Sequence, residues 1–403
     1  MQPAANPTAA EPTAAFEPSQ LSAALARWFA SARRDLPWRS ERPDGTRDAY
    51  AVLVSEIMLQ QTQAARVAER FPQFIARFPT AAALAAADEQ DVLAAWAGMG
   101  YYRRARSLHA AAKVIASDHE GDLPRDPAAL RALPGVGDYT AGAIASIAFN
   151  IPAPAVDANV MRVMLRLLGV HATPADTNAR ATVRDRTAEL SLAARSPAIL
   201  TESLMELGAT LCTQRSPACD RCPVAAWCNA RAAGTQSQIP LKAPKPPKRP
   251  LFAVAHHILD PDGRVLIQRR PESGLWAGMY QLPTIESDDA FQEQDPSATV
   301  LGGFEHQTTH RRVLFRVVRV SPSQHEPLPD RAQYREIHEL AALPFGSAQR
   351  RALSIAGIGP DTDNARDHDH AHAIRPAAQP TAIRPAAPIN RHRTTRSSGS
   401  LSP

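Results

Sequence analysis

The chain has 403 residues, more than one hydrophobic core of about 250–300 residues holds, so two folded domains with tails are expected. Its formal charge of +5 is mild and suits a polyanionic partner. No run approaches the ~18 consecutive apolar residues of a membrane span, and residues 1–20 lack a basic region followed by an apolar one. A reducing, cytoplasmic setting is therefore expected. Four cysteines confined to 212–228 then read as metal ligands rather than disulfides.

Residues 1–20 are Ala, Pro and Thr with little to bury, and they read as a disordered tail. From residue 21 to 232 apolar residues recur at three and four, which predicts a run of helices. Glu56 lies in one of them, AVLVSEIMLQQTQ, with Val52, Leu53, Leu59 and Gln60 at helical neighbour positions. Three apolar neighbours would desolvate this carboxyl and raise its pKa. A solvated helix charge is the plainer alternative for Glu56 taken alone.

Residues 133–163 organise the rest. Leu133-Pro134-Gly135-Val136-Gly137 reads as a tight hairpin whose two glycines allow positive φ, and an Ala-rich helix follows it. Free N–H groups at that helix start suit an anion. A Pro-broken loop then delivers Asp157 to the start of the next helix, where the dipole and orphan amides would hold it ionised. Two carboxylates driven apart in pKa give an acid and a stabilising anion. A simple turn between packed helices, with Asp157 as an N-cap, fits LPGVG by itself equally well.

Cys212, Cys219, Cys222 and Cys228 follow the pattern C-x6-C-x2-C-x5-C. Thiolates suit zinc or an iron–sulfur cluster, but only one C-x2-C knuckle is present, which favours a structural [4Fe–4S] cluster. Residues 233–250 form a Pro- and Lys-rich connector, expected to be extended. Residues 251–357 read as α+β: strand, turn and strand from Leu251, a strand over 310–320, and short helices in EIHELAAL and SAQRRALSIAG. Residues 358–403 repeat AIRPAA at 373–378 and 382–387 and read as a low-complexity tail. Its DHDHAH run, 367–372, is an incidental His cluster on this reading.

The cysteine spacing downstream of a hairpin and an acid resembles the endonuclease III superfamily of helix-hairpin-helix DNA glycosylases. Within it, SEIMLQQTQ, GMGYYRRAR and VDANV resemble the adenine DNA glycosylases, the MutY type, over roughly residues 25–345. The resemblance implies a mainly α fold: a helix-hairpin-helix domain over 21–232 with the cluster loop at 212–228. A smaller Nudix-like α+β domain over 251–357 would read 8-oxoguanine.

It also implies the chemistry. Glu56 would protonate the flipped adenine and Asp157 would stabilise or capture the oxocarbenium ion. Gly135 and Gly137 would anchor a phosphate. Gln61, Thr62 and Tyr101 would enter the duplex, offsetting an unstacking cost of a few kcal/mol by rough estimate. Arg34, Trp38 and Glu202 match residues of the base pocket. Tyr139 stands where strand-cutting relatives carry a Schiff-base lysine, which implies a monofunctional enzyme.

The chain departs from the pattern in three places. ERPDGTRD replaces the usual short segment after PWR; ESDDAFQEQDPSATV lacks an acid-rich Nudix box, so no pyrophosphatase is expected; and Thr308-Thr309-His310 stands for Phe-Ser-His in the lesion-reading loop, leaving Thr309 and His310 as contacts. Double-stranded DNA carrying A opposite 8-oxoguanine or G is the implied partner, with other repair or replication proteins besides. The protein itself is expected to be a monomer. A pyrimidine-lesion glycosylase/lyase is the alternative activity, and a DNA-binding protein with a vestigial site is a third reading.

Overall fold

The computed structural model describes residues 17–358, apart from 244–245, 293–295 and 323–326. Of the expected tails at 1–20 and 358–403, residues 1–16 and 359–403, with the 367–372 cluster, lie outside the described residues. The inner boundaries of both tails move. Helix α1, Pro18–Ala32, starts inside the supposed first tail because Pro18, with its φ preset, sits in the first turn. At the other end Ile358 is buried in the sheet core and its N–H bonds Leu353 O, so it belongs to the fold.

The helical region continues with α2 (Ala49–Leu59), α3 (Ala64–Arg77), α4 (Ala81–Ala86), α5 (Glu89–Ala95) and α6 (Arg103–Asp118). After these come α7 (Pro127–Ala132), α8 (Asp138–Phe149), α9 (Ala158–Leu168), α10 (Thr177–Ala193), α11 (Pro197–Thr210) and α12 (Asn229–Ala232). Most start on short polar side chains. Asp48, Thr80, Asp126, Asp157, Asp176 and Ser196 each accept a backbone N–H three residues on, satisfying an orphan donor.

Helix α2 is apolar on nearly every face, and such a helix must lie inside. Leu53, Val54 and Met58 are fully enclosed in one core with Phe74, Trp96 and Leu108. Each such side chain contributes about 1.5–3 kcal/mol through burial. A second core joins α1 to α9–α12 around Leu25, Met164 and Leu207.

The connector is not a free spacer. Ile239 is buried in that second core, its carbonyl accepts from Arg166 Nε at 2.8 Å, and Leu241 N bonds Ala172 O. An apolar residue with a buried arginine waiting for its carbonyl overrides the extended tendency of the prolines. The first strand accordingly begins at Arg249, before the expected boundary.

The second region has two sheets. In one, β1 (Arg249–His257) lies between β4 (Thr284–Ser287) and β6 (Arg311–Arg319), and β5 (Thr299–Gln307) flanks β6. β1 and β6 run parallel, pairing Ala253 with Phe315; the other pairs are antiparallel. The smaller sheet orders β3 (Tyr280–Gln281), β2 (Val265–Arg269) and β7 (Ala332–Arg335). Helix α13 (Ser347–Ile355) packs on β5 and β6. The short strands β3, β4 and β7 carry too few alternating residues to show in sequence.

The two regions meet through the segment before β3. Met279 is fully buried in the first helical core, Tyr102 Oη donates to Phe345 O, and Arg106 bonds both Glu89 and Glu272. The described residues thus belong to one compact unit.

Candidate active site

Glu56 rides into the interior on α2 and is only 4% exposed. Burial pushes its carboxyl up to about 7; the nearby charges of Asp157 and Glu202 add to this, and a 2.6 Å bond donated by Tyr139 Oη partly opposes it. Tyr139 comes from the first turn of α8. Burial first, then Glu56 and Asp157, hold its phenol well above the ordinary value, so it remains a donor at neutral pH.

Asp157 caps α9. Its Oδ1 accepts from Val160 N at 2.6 Å and its Oδ2 from Asn159 Nδ2 at 2.9 Å. These donors pull its pKa down, but burial outweighs them and the net direction is upward. Cap and amides are present as expected, and burial sets the net direction of the shift against them.

The hairpin is also partly as expected. Gly135 has φ +78°, and a Cβ there would stand 2.5 Å from Ser107 Cβ on α6. Gly137 does not use the left-handed region. It is the N-cap of α8 with φ −97°, ordinary extended backbone, and the space around it is open. Having no side chain, it leaves the first amides of α8 without a side-chain cap, unlike most of the other helices.

Beside Glu56 lies a second acidic pair on α11. Glu202 accepts from Arg39 Nε and from an Arg47 amino group, both at 3.1 Å. Glu206, one turn on, takes Arg34 Nε at 2.6 Å and Arg39 at 2.9 Å. Burial pushes Glu206 up, but the two arginines outweigh it and its pKa falls. Arg47 belongs to the atypical segment after PWR, so that insertion feeds a cation to Glu202. Trp38 packs edge-on against Phe71, with centroids 6.0 Å apart.

Sequence reasoning missed Arg39, Arg47, Asn159 and Glu206. The i,i+4 spacing of Glu202 and Glu206 on an apolar helix was the available signal for the last. A cleft of about 810 Å³ contains Glu202 but neither Glu56, Tyr139 nor Asp157, so it is not where the carboxylate pair acts.

Two surface loops carry the residues expected to enter a duplex. Gln61 is exposed just past α2, and Tyr101, half exposed, precedes α6. Tyr101 Oη lies 3.1 Å from Thr309 Oγ1, which sits at the tip of the β5–β6 hairpin beside exposed His310. Thr308 shapes that tip, its Oγ1 accepting from Arg311 N at 3.0 Å. Thr62 stays half-buried under its own loop.

The four cysteines are free thiols lining a single cavity with Arg166, whose guanidinium donates to Cys212 Sγ at 3.2 Å. Burial pushes the Cys222 thiol up to about 11. Four thiols around one cavity fit a cubane, which takes each thiolate at a separate iron.

Residues 54–189 match the model of the HhH-GPD superfamily base excision DNA repair proteins, and residues 254–354 match that of the NUDIX domain. A protein of Mycolicibacterium smegmatis named adenine DNA glycosylase is 47% identical over 210 residues, covering 52% of this chain and 69% of that one. Proteins of the same name from Arabidopsis thaliana and Homo sapiens are 36% and 35% identical over 314 and 320 residues. These alignments cover 68% and 67% of this chain but only 49% and 58% of those longer proteins.

Proposed function

This chain belongs to the adenine DNA glycosylases, and we propose that it hydrolyses the N-glycosidic bond of adenine mispaired with 8-oxoguanine or guanine in duplex DNA. The observation that carries the reading is Glu56, enclosed on α2 and pushed up to about 7. A carboxyl with that pKa is protonated often enough at neutral pH to donate, and basic enough afterwards to be reloaded.

Adenine leaves only when its ring nitrogens accept a proton, so Glu56 donates to the flipped base, at N7. Tyr139 Oη holds the Glu56 carboxyl in place. As the bond to C1′ breaks, positive charge develops on the sugar, and Asp157, fixed by Val160 N and Asn159 Nδ2, stabilises it. Water then completes the hydrolysis. With Tyr139 in place of a lysine, no Schiff base forms and the product is an intact abasic site.

On the same reading the uncapped amides of α8 behind Gly135 and Gly137 take a backbone phosphate. Gln61 and Tyr101 enter the stack, while Thr309 and His310 reach the base opposite the adenine. Arg34, Trp38 and Glu202 border the pocket. Cys212, Cys219, Cys222 and Cys228 would hold a [4Fe–4S] cluster, whose contribution is to brace the loop behind α9 and α11.

The test is a duplex with one adenine opposite 8-oxoguanine, incubated with the protein and then treated with alkali. Strand scission at the adenine only after alkali is expected. Scission at damaged pyrimidines without alkali would replace this reading by the glycosylase/lyase.

A further inference from the structure

Among the described residues that carry a side chain and have positive φ are Gln61, at +57°, and Tyr101, at +48°. Both were named above as duplex-entering residues, and both occupy backbone that such residues seldom adopt. Something must hold them there. A single guanidinium, that of Arg104 in the first turn of α6, reaches both loops.

One of its amino groups donates to the carbonyls of Ile57, Met58 and Gln60, at 3.1 and 2.7 Å for the first two. These are the last turn and exit of α2, where carbonyls lack helical partners and the dipole is negative. The other amino group donates to Thr62 Oγ1 at 2.9 Å and to the carbonyls of Met99 and Gly100 at 3.0 and 3.2 Å. The guanidinium plane also lies 5.5 Å from the Trp96 ring and 5.4 Å from the Tyr101 ring. Arg104 is 8% exposed, and its charge is met by carbonyls and ring faces. Its pKa, lowered by burial to about 10, still leaves it charged at neutral pH.

We propose that Arg104 is a positioning residue that locks the Gln60–Thr62 and Met99–Tyr101 loops into one preformed pair of wedges, ready before the duplex arrives. The proposal rests on the reading of Gln61 and Tyr101 as the residues that enter the stack. Lysine cannot replace arginine here. One ammonium on a flexible stem cannot span both loops, whereas the planar fork does so with fixed geometry.

The experiment uses the full chain and a duplex with adenine opposite 8-oxoguanine, with 2-aminopurine beside the target to report unstacking on mixing. Arg104→Lys is expected to slow unstacking and single-turnover excision about tenfold or more, since displaced positioning groups cost rate steeply. In a Gln61→Ala/Tyr101→Ala background the same substitution is expected to cost nothing further, because the wedges are already gone. An equal additional loss in both backgrounds marks Arg104 as a general fold brace and overturns the proposal. So does parental unstacking in Arg104→Lys when the Gln61→Ala/Tyr101→Ala variant is slow. If that double variant unstacks at the parental rate, the wedge reading itself fails, and the proposal falls with it. Arg104→Gln, which removes the buried charge, serves should the lysine variant not fold.

Discussion

Two pairs of carboxylates, all buried but the half-buried Asp157, lie side by side in the helical region, and their surroundings could hardly differ more. Glu202 and Glu206 share Arg34, Arg39 and Arg47, and Glu206 is pulled below its ordinary pKa. Glu56 and Asp157 take hydrogen bonds from a phenol, an amide side chain and a backbone N–H, and both are pushed upward. Both pairs are largely withdrawn from solvent; arginines in direct contact belong to one of them. A buried acid given arginines becomes a fastener, and one denied them stays chemically poised.

The contrast is broken most directly at Glu56. Glu56→Gln keeps the shape and the bond to Tyr139, and is expected to lower single-turnover adenine release on the order of a thousandfold. Duplex binding, measured by titration, should survive. Near-parental release would remove Glu56 from the acid role.

Asp157→Asn comes next. Asparagine caps helices about as well as aspartate, so the melting temperature should barely move. The rate is expected to fall about a hundredfold, through loss of charge beside the developing cation. A large drop in melting temperature instead would assign Asp157 to the fold.

In the arginine-rich pair the same swap should read out oppositely. Glu206→Gln leaves Arg34 and Arg39 without their shared carboxylate, and a loss of about 3 kcal/mol is expected in denaturant unfolding. Full parental stability would show that the pair is no fastener.

The smallest effect is in pH dependence. Glu56 has a folded pKa near 7 against an ordinary 4.5, so the unfolded chain ionises first. Its stability contribution is whole below about pH 4.5 and is lost as pH rises to about 7. Glu56→Gln should therefore be more stable than the parent at pH 8, on the order of 2 kcal/mol, and converge with it near pH 4. The parent's single-turnover rate should decline above pH 7. A flat stability difference across that range would contradict the buried, unpaired environment.

The sequence by itself determined the helical region, its hairpin and its cysteine loop, because helical periodicity, an i,i+4 neighbourhood and cysteine spacing are local properties. It also placed Glu56 among apolar neighbours, and Tyr139 where a lysine would change the chemistry. It could not weigh burial against hydrogen bonding at Asp157, nor tell Gly137 from Gly135, whose left-handed turn sets it against Ser107 on another helix. Nor did it reveal the arginines on Glu202 and Glu206, which arrive from 155 to 172 residues away. The guanidinium of Arg104 across two loops and the meeting of Tyr101 with Thr309 are likewise tertiary. In each case the deciding quantity is what stands within about 3 Å of a polar atom, and for partners distant in the chain only the folded packing sets it.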